Sequence, residues 1–305
     1  RMHMKTYSES SPYPLSSQNR RIAPARERLQ SEALVWAWIL TVLPLTALIT
    51  VVQAVIAWQN GRILGSIEMQ GVFLCIVLAC LVVEMRAATP AAAAVGGVIC
   101  VTMTMVTSLM YTRLTQTLLP PLITLFLLTF AATSIGHTRK LKLGLAESRH
   151  GRAVNQIIAN LGASSLLALM HQVTAVAPPA CIAMLAEATA DTLASELGPV
   201  LPGRTLLLTS LRRVPRGTDG GVSLGGTLCG LAGAAIVVTI GIRSLDLGMR
   251  EAQCAFGGAI AGFFADSLLG ATLERYGILG NDMVNFLSTV VAGVVAIGIG
   301  LHLNL

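Results

Sequence analysis

About nine stretches of this chain run for some twenty residues with scarcely a charge, and that pattern limits what it can fold into more than any other feature. A helix crossing roughly 30 Å of hydrocarbon at about 1.5 Å per residue needs such a run. The candidates lie near 33–58, 66–83, 88–111, 115–136, 156–176, 179–197, 223–242, 253–273 and 283–304. The second is the least apolar, with Glu68 and Gln70 near its start. Over 305 residues, 54% are hydrophobic and 12% charged, whereas soluble globular chains carry about 25% charged residues. That balance excludes a water-soluble enzyme and a disordered chain, and six scattered cysteines exclude a disulfide scaffold. The expected fold is all-α, a polytopic bundle of about nine spans in a lipid bilayer.

Basic residues orient such a bundle, because short cytoplasmic loops accumulate Lys and Arg. Arg1, Lys5, Arg20, Arg21, Arg26 and Arg28 precede the first span. Arg139, Lys140, Lys142, Arg149 and Arg152 follow the fourth, and Arg204, Arg212, Arg213 and Arg216 follow the sixth. With nine crossings these groups share one side with Arg86 and Arg275, while Arg62, Arg113, Arg243 and Arg250 face the other. This predicts a cytosolic N-terminus and an external C-terminus. The net charge of +6 then reflects orientation and calls for no nucleic-acid partner. The polar tail lacks an apolar signal-peptide core, so the first span is expected to act as an uncleaved insertion signal. With no organelle signal evident, a bacterial inner membrane is the default setting, and the Arg- and Ser-containing tail leaves a plastid membrane open. The cysteines lie in apolar stretches without C-x-x-C spacing and read as small buried hydrophobes.

The chain divides into a basic tail (1–32), apolar scaffold helices (33–136) and a polar-studded core (137–305). No repeat with paired broken helices marks it as a secondary transporter. Within the core, Glu187, Asp191 and Ser195 are spaced by four and form one ridge on a helix, with Glu196 beside them. Carboxylates at membrane depth face a partner, a metal or water. They either pair with nearby arginines or form a divalent-metal or proton-handling site. Arg212, Arg213, Arg216, Gly217, Thr218, Asp219, Gly220, Gly221 and Ser223 then run into the seventh span. Glycines that admit an anion to the backbone, a helix N-terminus and forked arginine donors suit phosphate, although the loop is no P-loop; a basic loop with turn glycines is the plainer reading. In the eighth span Gly258, Gly262, Asp266 and Gly270 recur every four residues, so Asp266 should face the bundle, and Glu274 extends the row. Asn281 and Asn285 share a face at the start of the ninth, where Asp282 can also cap the helix. Arg152, Asn155, Gln156 and Asn160 open the fifth. On nine spans all of these face the cytosol, with Asp191 and Asp266 about 9 to 12 Å below the surface.

Five strings carry a family resemblance: R-x-x-x-Q-x-x-A-N (Arg152 to Asn160), A-D-T-x-A-S-E-L-G (Ala190 to Gly198), V-P-R-G-T-D-G-G-V-S-L-x-G-T-L (Val214 to Leu228), D-S-L-L-G-A-T (Asp266 to Thr272) and N-D-x-V-N-F (Asn281 to Phe286). Together they resemble the family catalogued as domain of unknown function ninety-two, which includes phytyl-phosphate kinases of plants and cyanobacteria and an animal multi-pass protein. The acidic helix end followed by a basic glycine-threonine loop is also similar to CTP-dependent phytol and dolichol kinases and to CDP-lipid synthases. The resemblance implies phosphoryl transfer from a nucleoside triphosphate, CTP being the first choice, to a prenyl monophosphate such as phytyl phosphate. It assigns Asp191, Glu196 and Asp266 to Mg²⁺, with Asp219 or Asp282 as further ligands. It assigns Arg212, Arg213, Arg216 and the Gly217 to Ser223 backbone to phosphates, and Asn160, Asn281 and Asn285 to orientation of the site, Asn285 within the catalytic group. The rivals are a transporter or lipid flippase using Asp191 and Asp266 as coupling groups, a non-catalytic membrane scaffold, and a cytidylyltransferase acting on lipid phosphates.

Overall fold

The computed structural model describes residues 22–61, 67–105, 113–145, 151–171 and 174–305. Its elements are α1 (Pro24–Gln59), α2 (Ile67–Glu84), α3 (Pro90–Thr104), α4 (Leu119–Ser134), α5 (His137–Leu143), α6 (Val154–Ala168), α7 (Ala177–Leu197), β1 (Thr205–Leu207), β2 (Arg213–Val214), β3 (Gly221–Ser223), α8 (Leu224–Ser244), α9 (Met249–Leu269) and α10 (Asn281–His302).

The helix least suited to lipid stands at the centre. α7 begins with Pro178 and Pro179 in its first turn, where a missing N–H costs nothing, and every residue from Ala177 to Ala190 is buried. It packs against α4, α6, α8, α9 and α10. Its alanines allow that crowding, and glycines on the neighbours complete it. A Cβ on Gly230 of α8 would lie 2.6 Å from Ala190 O, and one on Gly226 would lie 2.9 Å from Ala194 O. On α9, a Cβ at Gly258 would approach Ala292 O of α10 to 2.4 Å, and one at Gly262 would meet Ser288 O and Glu187 Cγ at 2.7 Å each. Small residues every fourth position thus bring the helices of the core into backbone contact.

α1 lies along this core. Trp38 Nε1 donates to Ser165 Oγ of α6 at 2.9 Å, and the Thr46 and Thr102 hydroxyls bond at 2.8 Å to α3. At its first turns, Gln30 Nε2 donates to Ile278 O at 3.0 Å while Gln30 Oε1 accepts from Gly280 N at 2.9 Å, which straps α1 to the loop before α10. The cysteines are free; Cys75, Cys100, Cys181 and Cys254 are buried as expected of small hydrophobes, whereas Cys229 is half-buried and Cys80 is exposed, against that expectation.

The expected architecture of about nine spans is corrected here. Among the described residues four helices are long and apolar enough to cross a membrane: α1, α8, α9 continued to Glu274, and α10. A fifth is reached if α4 and α5, bent by 63° at a short break, count as one. Among the described residues, the runs at 88–111 and 156–176 hold the 15-residue helices α3 and α6, each roughly 22 Å at 1.5 Å per residue and short of a crossing. The run at 66–83 yields a short apolar helix, and α7 is long enough but too polar. An apolar run satisfies protein burial as well as lipid burial, and sequence hydropathy does not separate the two. The alternation used for orientation rested on nine crossings, so a cytosolic N-terminus no longer follows. The all-α class holds, with one small sheet beside the helices, in which β1 pairs antiparallel with both β2 and β3, Thr205 opposing Val214 and Ser223. Arg1, Lys5, Arg20, Arg21, Arg62 and Arg149 of the orientation argument, and residues 106–111 of the third expected span, lie outside the described residues.

Close helix contact makes a stability prediction. Gly258→Val should cost about 1 to 3 kcal/mol through overpacking. Gly96→Ala, where a Cβ meets nothing within 4 Å, should be neutral or gain up to about 1 kcal/mol from helix propensity. Thermal unfolding of the detergent-solubilised variants reads both.

Candidate functional site

The polar residues of five helices and one loop gather around a cavity of about 300 Å³ at one end of the core. α7 contributes Asp191, Thr192, Ser195 and Glu196 from its last turns, and α9 contributes Asp266 and Ser267. Arg152, Gln156 and Asn160 enter from the start of α6, and Asn281 and Asn285 from the start of α10. The segment Gly217 to Ser223 closes the cavity with Gly226 and Thr227 of the first turn of α8. The starts of α6, α8 and α10 therefore meet the ends of α7 and α9 at one place.

The loop is held by backbone geometry. β1 sits between β2 and β3, so both ends of the loop are pinned to one strand. Thr218 Oγ1 donates to Pro215 O at 2.8 Å, and Gly221 N donates to Thr218 O at 2.8 Å. Gly220 has φ +68° and lies against the end of α9, where a Cβ would fall 2.1 Å from Ala271 N. Only glycine meets both conditions. At that contact the α-helix gives way to a π turn, Gly270–Glu274, which carries Glu274 into the cavity wall. Ser223 ends the loop by capping α8, its Oγ accepting from Gly226 N at 3.2 Å.

The carboxylates are the chemical centre. Asp191 and Asp266 line the same cavity and interact with each other through charge, as Arg152 does with Asp191. Asp266 Oδ1 is buried with no hydrogen-bond partner. One turn before Asp191, Glu187 is wholly buried, and neither of its carboxylate oxygens has a hydrogen-bond partner. The neighbouring Ser288 hydroxyl donates instead to Asn285 O at 2.9 Å. Among the described residues Asp191, Glu196, Asp219, Asp266 and Glu274 line the cavity, against Arg152 as the one lysine or arginine in that lining. The lining thus holds an excess of acidic groups, all of them partly buried, and like charges gathered so closely favour bound protons or cations.

Glu196 is answered from outside the cavity. Lys140 of α5, 1% exposed, forms an ion pair with Glu196, and its ammonium also donates to Ala132 O at 2.7 Å and Thr133 O at 3.1 Å. All three N–H donors are used. The sequence places Lys140 in a basic loop; only the 63° bend between α4 and α5 turns it inward.

Of the residues singled out from sequence, Asn160, Asp191, Glu196, Gly217, Thr218, Asp219, Gly220, Gly221, Ser223, Asp266 and Asn285 line this cavity. Four do not. Arg212 and Arg213 are exposed on the β1–β2 hairpin, and Arg216 donates to Pro199 O and, at 3.2 Å, to Gly203 O, tying the loop to the end of α7. Asp282 is buried and accepts from Ser31 Oγ and Asn155 Nδ2, each at 2.6 Å, joining α1, α6 and α10. Arg152 and Glu274 enter the site without having been among the assigned residues; their positions at the ends of the motif-bearing helices were the available signal. Among the described residues no three His, Cys, Asp or Glu side chains stand as a preassembled metal-ligand group.

Fold and site together define a multi-pass helical membrane protein with an acidic, loop-covered cavity at one end of its core. The chain belongs to the integral membrane protein DUF92 family, whose profile matches residues 73–293. It is 40% identical over 116 residues to an uncharacterised membrane protein of Methanocaldococcus jannaschii, a match covering 38% of this chain and 48% of that protein. An uncharacterised membrane protein of Synechocystis is 35% identical over 187 residues, covering 55% and 68% of the two chains. The chloroplastic Protein VTE6 of Arabidopsis thaliana is 31% identical over 184 residues, covering 56% and 55%. The chain therefore spans about half to two thirds of the length of these relatives. No solved structure matches it.

The ion pair under the cavity makes a prediction. Lys140→Met should destabilise by about 3 to 5 kcal/mol, because Glu196 is left charged without its partner. The double variant Lys140→Met/Glu196→Gln should recover much of that loss, as a double-mutant cycle on thermal or denaturant unfolding measures.

Proposed function

We propose that this protein transfers a phosphoryl group from a nucleoside triphosphate, CTP by first choice, to a prenyl monophosphate such as phytyl phosphate. The observation that carries the reading is the meeting of Asp191 and Asp266 with a glycine-threonine loop and the start of α8 in one cavity. The family resemblance, with its phytyl-phosphate kinases, supplies the substrate class. A bacterial inner membrane is the proposed setting, with a plastid membrane as the alternative that the cyanobacterial and chloroplastic relatives support.

The donor chemistry fits a hard divalent cation. Two adjoining carboxylates, one with an oxygen lacking any hydrogen-bond donor, suit Mg²⁺, which commonly uses one or two carboxylates and takes its remaining ligands from substrate phosphates and water. No preassembled cluster is required for that mode. Asp191 and Asp266 would hold the ion, with Asp219 or Glu274 within the same wall. Bound there, Mg²⁺ would neutralise charge on the phosphates during transfer.

The protein groups have distinct tasks in this reading. The Gly217 to Ser223 backbone and the first turn of α8 receive phosphate oxygens, and Arg152 adds the charged donor that Arg212 and Arg213 do not bring to the cavity. Asn160, Asn281 and Asn285 orient the two phosphates. An oxygen of the prenyl phosphate attacks the terminal phosphorus, the bond to the departing nucleoside diphosphate breaks, and that diphosphate leaves with the electron pair. The acceptor is already an anion, so no strong base is needed, and positioning and charge neutralisation carry the catalysis. Glu196, held by Lys140, acts as a positioning residue at the end of α7.

Purified protein with labelled CTP or ATP, Mg²⁺ and phytyl phosphate should yield the diphosphate, with Asp191→Asn and Asp266→Asn each lowering the rate by about 100-fold or more. Nucleotide with Mg²⁺ should also raise the unfolding temperature of the unmodified protein. Pyrophosphate release in place of nucleoside diphosphate would mark cytidylyl transfer. Indifference to every nucleotide, with neither binding nor product across several prenyl phosphates, would sink the proposal.

A further inference from the structure

Arg212 and Arg213 lie outside the cavity, and their surroundings point to a different partner. They follow the tight turn that joins β1 to β2, in which Leu211 N donates to Leu207 O at 2.8 Å and Leu207 N donates to Arg212 O at 2.9 Å. The turn throws Leu211 outward. Its side chain is 68% exposed and its backbone is left-handed at φ +53°, a conformation that costs leucine energy and brings no packing in return. Arg212 and Arg213 are exposed next to it in the chain and Arg204 is exposed at the base of the hairpin, and none of the three guanidinium groups has a hydrogen-bond or carboxylate partner among the described residues. Arg216, by contrast, is committed to backbone carbonyls.

The position of the hairpin says what it meets. The same sheet runs through β3 directly into α8, a helix long and apolar enough to cross a bilayer. A hairpin tied to the first residue of such a helix stands at the level where hydrocarbon gives way to headgroups. An exposed leucine flanked by arginines matches that layer, since the apolar tip gains from the acyl boundary while guanidinium groups take phosphate oxygens in forked geometry. A soluble nucleotide would reward the arginines alone, and a protein partner would need more apolar area than one leucine.

We propose that the β1–β2 hairpin is a bilayer-surface anchor, with Leu211 entering the headgroup layer and Arg204, Arg212 and Arg213 binding the phosphates of anionic lipids. It stands independently of the phosphoryl-transfer reading. Deuterium exchange of the full chain in nanodiscs tests it, read on peptides covering residues 205–214. Exchange should be about 30- to 150-fold slower in phosphatidylglycerol nanodiscs than in phosphatidylcholine nanodiscs, the scale expected for two or three basic groups at an anionic surface. Arg212→Ala/Arg213→Ala and, separately, Leu211→Ser should erase most of that difference, with unchanged exchange in α8 as the control for folding. Equal rates for the unmodified protein in the two lipids would overturn the proposal without any variant. So would equal protection by inorganic phosphate in phosphatidylcholine nanodiscs, which would mark a free-phosphate site, or protection that survives both variants.

Discussion

Everything in this fold depends on keeping the acidic ridge of α7 out of lipid. Glu187, Asp191 and Glu196 lie on one helix of an otherwise alanine-rich segment, and ionisable groups in hydrocarbon cost several kcal/mol each. The structure removes them from lipid by surrounding α7 with five helices. That arrangement is possible only because alanines on α7 face glycines on α8 and α9, so that backbones approach within the reach of a single missing Cβ. Close packing and polar burial are here two sides of one solution.

The same solution builds the cavity. Starts of three helices and ends of two others converge, which brings unsatisfied N–H groups to a place already rich in carboxylates. Opposite charges in one cavity favour ligands that carry both signs, such as a cation with phosphates. The loop is fixed from both directions, by its strands and by Gly220 against the π turn of α9. Arg216 and Lys140 spend their charge on the end of α7 and the bend of α4 and α5. They shape the site without entering it.

How far the sequence reached can be judged residue by residue. The four-residue spacing of Gly258, Gly262 and Asp266 was legible as a packing face, because helical periodicity is a local property. Asp191, Asn160, Asp266 and Asn285 stood out as polar exceptions in apolar segments, but the expectation that they share one face rested on nine crossings, and it is packing that gathers them around the cavity. The fate of Arg212, Arg213 and Arg216 was not legible, since one loop of like charges splits between an exposed hairpin and a structural tie. The hairpin itself had no signal in strands of two and three residues. Asp282 reads as a helix cap from its position, but it serves as an acceptor for side chains 127 and 251 residues away.

By itself the sequence determined that this chain lives in a membrane, that it is built of helices, and which residues are too polar to face lipid, because each of these follows from the cost of transferring side chains into hydrocarbon. Only the tertiary structure decided how many helices are crossings and which are core. A run such as 156–176 meets the same apolar demand whether its surroundings are lipid or protein. It likewise decided which charges meet, as Lys140 meets Glu196 across 56 residues, because such pairings depend on bends and packing that no local pattern records.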